Sequence, residues 1–574
     1  MKENYKIKDE IPDKDREKLA QYGELLAKLL YNRGIKEADE AGRFLNPDYE
    51  RDTHDPFLIL NMERAVDRII KGIDEEEKIV IYGDYDCDGI PGSVILHDFF
   101  KKIGYKNFLN YIPHRNREGY GLNRAAVEQF ARDGFTLIIT VDCGITDVDE
   151  VTLANELGID VIITDHHLPQ AILPDAYAVI NSKQEGDTYP DNMLCGAGVA
   201  FKLVQALLSK GREKWKVPTG WEKWLLDMAG LSTIADMVPL VKENRALAHF
   251  GISVLRKSRR PGFQKLLRKM FMDQRYGTED DIAFMIAPRI NAASRLDVPF
   301  EAFRLLSTND ETIADELSSH LQNINEGRKG MVLSIMKEVK QTMEKRELRE
   351  IIVIGNPSWK PGVAGLVATR LVEEYDRPVF VWGSDENNTH LKGSCRSDGT
   401  VNLVELMVSV PTGTFLDVGG HEFSGGFSVS HEAIHFLEDT LVSAYLNLPK
   451  KEKESGTIEV DAELTLDDVT KDNYKNIEKL APFGVGNHKP TFIFRNVVPE
   501  EVRAFGKGKN HLEIIFKNTK GVSVSAIGFF STSDDFGIPV EVGTPIDMVA
   551  TFEKSMYRGI EKLRLRIVDI FPKS

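Results

Sequence analysis

The sequence predicts an α/β protein built on a doubly wound parallel sheet, followed by a long connecting helix, a second, smaller α/β domain and a C-terminal β-barrel. Three patterns predict it. From residue 78, strand-length apolar runs alternate with helical stretches; between about 310 and 348 one helical rhythm continues unbroken; beyond 455 short alternating strands follow one another with turns between them.

Each element follows from its own stretch. Residues 14–70 carry apolar residues at helical spacing in "REKLAQYGELLAKLLYNRG" and "LNMERAVDRIIKGI", which predicts a helical extension over 1–72. Over 73–305 the runs "KIVIYG", "FLNYI", "TLIITVD", "DVIITD" and "AYAVI" are separated by helical stretches such as "VILHDFFKKIG" and "RAAVEQFARDG". Such alternation implies right-handed crossovers that cover both faces of a parallel sheet. The span 306–348 lacks proline and reads as one helix bridging two domains. A second α/β pattern, over 349–450, opens with "EIIVIG" and "GVAGLVATRLVEEY" and ends in the linker-like run "PKKEKESG". From 455 to 574, runs such as "TFIFRNV", "HLEIIFKN" and "KLRLRIVDI" read as strands of a small barrel.

With 574 residues the chain exceeds one core, and domains of roughly 100 to 200 residues suggest three or four. Hydrophobic residues at 42% and charged residues at 28% indicate a chain that folds throughout. The formal charge of -16, taken as a sum, counts against a nucleic-acid partner. Its distribution is uneven: "RKSRRPGFQKLLRKMFMDQR" at 256–275 has eight basic residues and one acid, either a solvated helical face or a phosphate contact. Cys87, Cys143, Cys195 and Cys395 form no CxxC pair, which speaks against a disulfide framework or zinc ribbon and for a reducing compartment. The N-terminal stretch is polar rather than signal-like, and no apolar run approaches the roughly 18 residues of a membrane span. A cytoplasmic location is expected.

In an open parallel sheet, functional groups gather at the carboxyl ends of strands. Here "KIVIYG" ends in Asp84, Asp86 and Asp88, "TLIITVD" ends in Asp142, and "DVIITD" ends in Asp165, His166 and His167. Asp236 follows in the otherwise apolar "LSTIADMVPL". Each acid alone reads as well as a turn or helix cap. Carboxylates converging on one crevice, however, cannot all stay ionised without cations. Divalent metal is the remedy, magnesium on carboxylates alone and manganese in preference once imidazole joins.

In combination, "GDYDCDG", "VDCGI", "TDHH" and "ADMVPL" resemble the four motifs of the DHH phosphoesterase superfamily. "GAGVAFKL", "PRINAASRLD", "GGHEFSGGF" and "LAPFGVGN" are similar to motifs of its RecJ-type single-strand-specific exonucleases, a likeness running from about residue 40 onward. The resemblance implies a DHH catalytic domain, a DHH-associated domain and an OB-like barrel. It implies two divalent ions, Asp86 and Asp88 as metal ligands, Asp142 bridging, and His166 and Asp236 completing the second ion's shell. His167 is implied to contact the scissile phosphate. Asp84 is assigned to the first ion or to the groups around it, because Tyr82 stands where distant relatives have a histidine.

For substrate, His114, Arg115, Arg117 and Tyr120 in "IPHRNREGYGL" combine phosphate contact with base stacking. Arg289, Asn291 and Arg295 form a phosphate-binding turn or else cap a helix. In the second lobe Ser394 and Arg396 of "GSCRS", with Gly419, Gly420 and His421, are implied to grip substrate. Departures from the family pattern are Ser424 and Gly425 for alanines, Cys395 for alanine and Lys360 for a common histidine, the last leaving its nucleotide contacts open. In the OB-like barrel, Lys507, Lys509, His511, Phe529 and Phe530 are candidates for single-strand binding or for core packing. The resemblance implies degradation of single-stranded DNA from 5′ to 3′, release of mononucleotides, and repair partners such as a helicase and a single-strand-binding protein. Two rivals remain: a DHH hydrolase of short oligonucleotides or cyclic dinucleotides, and an inactive replication scaffold.

Overall fold

The computed structural model describes residues 5–115, 117–384, 389–451, 457–506, 508–557 and 560–573. They form two compact units, one from the described residues of Thr53–Val238 and Lys242–Glu454, the other from those of Met1–Asp52, Pro239–Val241 and Ser455–Ser574.

In the first unit, among the described residues, β1 (Ile79–Gly83), β2 (Phe108–Tyr111), β3 (Leu137–Val141), β4 (Asp160–Thr164) and β5 (Ala178–Ile180) form a parallel sheet in the order β2-β1-β3-β4-β5. β1 and β3 are buried along their whole length, which explains their continuous apolar runs. On one face lies α1 (Gly89–Ile103), after β1; on the other, α2 (Arg124–Arg132) and α3 (Val148–Glu156) pack Val127, Phe130, Val151 and Ala154 against Val80, Ile138 and Val161. The chain runs from β1 to β2 and returns past β1 to β3. Strand order therefore reverses between β1 and β3, and a crevice opens at their carboxyl ends.

Helices α4 (Gly196–Trp215), α5 (Leu226–Ala235) and α6 (Ala287–Leu296) complete the walls of this crevice. The connecting helix is α7 (Glu311–Met343), 33 residues long, opened by Asp310, whose carboxylate accepts the Thr312 and Ile313 amides. Beyond it lie β6 (Ile352–Gly355), α8 (Pro361–Tyr375), β7 (Val379–Ser384), β8 (Leu391–Arg396), β9 (Asp417–His421) and β10 (Ser424–Val429). Their sheet order is β9-β10-β8-β7-β6, with only the β6–β7 pair parallel among the described strands.

The second unit contains, among the described residues, a seven-stranded mixed sheet: Ala462–Glu463, Phe492–Val497, Ile546–Tyr557, Ile560–Pro572, Ser523–Phe529, His511–Lys517 and Glu501–Phe505 in spatial order. Leu19, Leu26, Leu29 and Leu30 are buried in one core with Phe492, Phe494, Phe516 and Met548. Each such leucine contributes roughly 2 kcal/mol of apolar burial. Strand Tyr5–Ile7 pairs in parallel with Ile458–Val460, and the Asp461 carboxylate accepts from Lys8 and Asn32. The helical extension expected over 1–72 is thus divided near residue 52, because its first helices bury their apolar faces among the C-terminal strands. Its last helix, Met62–Asp74, belongs to the first unit, where Arg68 bonds Asp160 at 2.6 Å and Glu77 at 2.8 Å.

Candidate active site

The loop after β1 turns at once into α1, and Asp86 Oδ1 accepts the Asp88 and Gly89 amides at 2.7 and 3.2 Å. Asp88 then reaches the N-terminus of α4, where its two oxygens accept the Gly196 and Ala197 amides at 2.6 and 2.7 Å. A helix N-terminus favours an anion there. Gly196 is required at this point: a Cβ would lie 2.7 Å from Asp142 Oδ1.

Asp142 follows β3 in a left-handed conformation, φ 63°, uncommon for a residue with a side chain. Its Oδ1 lies 3.2 Å from His166 Nε2 and 3.8 Å from His167 Nδ1. His166 Nε2 is also 3.6 Å from Asp88 and 3.7 Å from Asp236. Asp236 caps the C-terminus of α5, where the helix dipole disfavours a carboxylate and favours a cation beside it.

Three groups result whose potential ligand atoms all lie within 4.8 Å of one another: Asp84, Asp86 and Asp142; Asp88, His166 and Asp236; and Asp142, His166 and His167. Burial, with Asp86 adding, raises Asp84 well above the usual carboxylate range; burial, with Asp88 and Asp86 adding, does the same for Asp142. Burial and Asp86 push Asp88 up to about 6 against the two amides, and burial and Asp88 push Asp236 up to about 8. Burial and the neighbouring His167 pull His166 down to about 3, leaving a neutral imidazole with a lone pair to give. Buried oxygens Asp84 Oδ1 and Asp142 Oδ1 have no hydrogen-bond donor among the described residues. Buried acceptors without donors are costly, and divalent cations would satisfy them, so this donor set fits the expected metal. Tyr82, at the position of the relatives' histidine, is fully buried and donates to the Gly121 carbonyl at 2.8 Å, away from any ligand role.

His167 differs from its neighbour. Burial would lower it, but Asp165 Oδ1, 2.8 Å from Nδ1, holds it up at about 9. Asp165 itself is fixed by the His166, His167 and Ile145 amides. No role was expected for Asp165; the signal was its place two residues before His167 at a strand end.

Arginines gather beside these acids. Arg115 lies 5.1 Å over the Tyr85 ring. Arg295, on α6, donates to the Gly362 carbonyl at 3.3 Å, and burial, then Arg115, Arg328 and Arg396, pulls it down to about 10. Arg328, on α7, was not anticipated. Register aligns Gly419, Gly426 and Ser394 in one row and His421, Ser424 and Arg396 in another, so these side chains share one sheet face. Gly365 of α8 adjoins that face, 3.1 Å from Arg396 Nη2 at its notional Cβ. Gly420 belongs to the alternate row with Gly425 and Cys395.

Two of the expected substrate residues have other partners. Arg289 is buried and donates to Gln322 of α7 at 2.7 Å and to the Met285 carbonyl at 2.6 Å, which ties α6 to α7. Asn291 Oδ1 accepts the Cys87 amide at 2.8 Å, pinning the peptide between Asp86 and Asp88. In the second unit, Lys507 lies outside the described residues. Phe530 is exposed beside His511, ring centroids 4.9 Å apart, and Phe529 lies under Arg564 and Arg566 at 5.4 and 5.5 Å.

Family models match three segments of the chain: the DHH family, N-terminal domain, at 78–231, the DHHA1 domain at 349–444, and the RecJ OB domain at 460–569. A relative, the single-stranded-DNA-specific exonuclease RecJ of Bacillus subtilis (strain 168), is 37% identical over 572 residues, covering 98% of this chain and 71% of its own length. The chain belongs to the RecJ family. A RecJ structure from Thermus thermophilus in complex with Mn2+ superposes with a TM-score of 0.82 at 26% identity, covering 100% of this chain and 80% of the other. Its Mg2+ complex gives 0.75 at 25% identity, covering 99% and 78%. The RecJ fold, with its DHH, DHHA1 and OB domains, is therefore the architecture of this chain, and the strand-end acids sit on the DHH segment.

Proposed function

We propose that the chain hydrolyses phosphodiester bonds of single-stranded DNA in the 5′ to 3′ direction, releasing 5′-mononucleotides, with two divalent ions, manganese in preference to magnesium. The observation that carries this reading is the two acid-rich ligand groups around Asp142, beside a cluster of guanidiniums that outnumbers its nearby carboxylates. One side asks for cations and the other for phosphate. RecJ family membership supports a single-strand-specific exonuclease.

Asp84, Asp86 and Asp142 would hold one ion, and Asp88, His166 and Asp236 the other, with Asp142 shared. When bound, the ions supply a water of lowered pKa and neutralise charge on the phosphoryl oxygens. The remaining work falls to the chain. The α4 amides hold Asp88 in place, and Asn291 holds the peptide between Asp86 and Asp88. His167 keeps its Nδ1 proton on Asp165, which leaves Nε2 to meet a phosphoryl oxygen as charge develops. Arg115, Arg295 and Arg396, with Ser394, bind flanking phosphates through planar forks. Gly419 and His421 extend the same face of the DHHA1 sheet. No covalent intermediate is needed.

No helix among the described residues is long and apolar enough to cross a membrane. A cytoplasmic role in repair and recombination, with a helicase to free strands and a single-strand-binding protein to hold them open, accords with the family. The test uses 5′-labelled and 3′-labelled single and double strands incubated with manganese, magnesium or chelator. Mononucleotides released first from the 5′ label of single strands, only with metal, are expected. Equal attack on duplexes, or activity confined to dinucleotides, would overturn the reading.

A further inference from the structure

Tyr120 carries an aromatic ring beside the crevice, and the residue is 44% exposed, as a base-stacking platform would be. Its hydroxyl points elsewhere. It donates to the main-chain carbonyl of Asp142 at 3.1 Å and lies 3.1 Å from His167 Nδ1, with the two rings edge to face at 5.6 Å. An ordinary phenol keeps its proton near neutral pH, so it serves as a neutral donor.

A phenol has one proton to give and lone pairs to accept with. With that proton on the Asp142 carbonyl, the oxygen can only accept from His167. Nδ1–H is then shared between Asp165 Oδ1 at 2.8 Å and the Tyr120 oxygen, and a single relay runs from Asp165 through His167 and Tyr120 to the Asp142 peptide. The relay touches the two groups whose orientation matters most. Asp142 is the carboxylate common to two of the ligand groups and sits at φ 63°, a conformation that surrounding bonds must hold. His167 is the imidazole left to face phosphate.

The backbone carrying Tyr120 is fixed on its C-terminal side. Gly121 has φ +84° and a Cβ there would lie 2.6 Å from both Asp147 oxygens; its carbonyl accepts from Tyr82, and the next amide, Leu122, donates to Asp147 at 2.7 Å. On the N-terminal side Glu118 accepts the His114 amide at 2.6 Å and the Asn123 side chain at 3.0 Å. A mere stacking platform does not require its hydroxyl to be bonded as well as its backbone held; a positioning group requires both.

We infer that Tyr120 is a positioning residue whose hydroxyl couples His167 to the Asp142 peptide, setting the imidazole and the shared carboxylate in one geometry. This rests on the exonuclease reading above. Removing only the hydroxyl tests it, because Tyr120→Phe keeps the ring. Tyr120→Phe is expected to lower kcat by about tenfold or more on a 5′-labelled single strand with KM unchanged, in line with losses at groups that orient metal ligands. Calorimetric Mn2+ titration of the same variant is expected to show several-fold weaker binding with an unchanged thermal melt in chelator. In a His167→Ala background, Tyr120→Phe is expected to cost less kcat than it does in the wild type. A Tyr120→Phe enzyme with wild-type kcat and Mn2+ affinity, while Tyr120→Ala raises KM, would overturn the inference in favour of stacking. Fully additive losses with His167→Ala would overturn it as well. If wild-type protein shows no metal-dependent hydrolysis of single strands, the exonuclease reading falls and takes this inference with it; an active wild type matched by Tyr120→Phe removes the hydroxyl's role alone.

Discussion

Two partly buried arginines of the first unit, Arg260 and Arg295, stand in opposite electrostatic settings. Arg260 bonds Asp227 at 2.8 and 3.2 Å and Asp98 at 2.7 Å, and these carboxylates outweigh burial and hold its guanidinium above the ordinary value. Arg295 has a carbonyl at 3.3 Å and three arginine neighbours, and is pulled down to about 10. Burial with counter-charge on both sides serves the fold. Burial among like charges is unfavourable in the protein alone and is relieved by an anion from outside, which an arginine, unable to shed its proton, must wait for. The acids beside Arg295 present the mirror image, except that carboxylates can neutralise themselves by taking up protons until metal arrives.

The sharpest break of this contrast is at the acids. Asp142→Ala is expected to lower strand hydrolysis by roughly a thousandfold or more, with the circular-dichroism spectrum unchanged. Asp142→Asn, assayed by thermal melting in chelator, should raise the midpoint by a few degrees, since it deletes a charge that burial penalises. Among the arginines, Arg295→Met should raise KM for single strands by roughly thirtyfold or more at little cost in stability. Arg260→Met should do the reverse, losing about 3 kcal/mol by denaturant titration because Asp227 and Asp98 are left uncompensated. Equal effects of the two variants on KM would dissolve the distinction.

Stability without metal should also depend on pH with a definite sign. Asp88 at about 6, Asp236 at about 8 and His167 at about 9 all hold protons in the folded state above their ordinary values. Their contribution is complete below the unfolded values and is lost as pH rises through the folded ones. Melting temperature in chelator is therefore expected to fall from pH 6 to pH 9, and saturating Mn2+ should reverse the trend. The smallest effect expected is at Arg289→Met: kcat/KM within about threefold of wild type, and stability lower by roughly 1 kcal/mol through the lost Gln322 and Met285 bonds.

Much of the site was legible because it is local. Buried parallel strands announce themselves as apolar runs, and acids at the ends of several such runs in succession gather at one crevice. Helix geometry also separates the residues of "PRINAASR": Asn291 and Arg295 are four apart and share a face, whereas Arg289 lies about 120° away from Arg295 at 3.6 residues per turn. That periodicity was the signal for the clamping role of Arg289. Nothing local brings Arg115, Arg328 and Arg396 to Arg295, since they lie on a loop, two helices and a strand far apart in the chain. Nor does the helical rhythm of residues 14–45 say which core it will join.

By itself the sequence determined the strand and helix order, the doubly wound sheet and the acids and histidines at its strand ends, because these depend on periodicity and on short-range chain direction. Tertiary structure alone decided that the first fifty residues complete the C-terminal unit, which arginines meet, where the Tyr120 hydroxyl points, and which carboxylates hold protons. Those outcomes depend on burial and on charges distant in sequence, and both come into being only when the chain closes on itself.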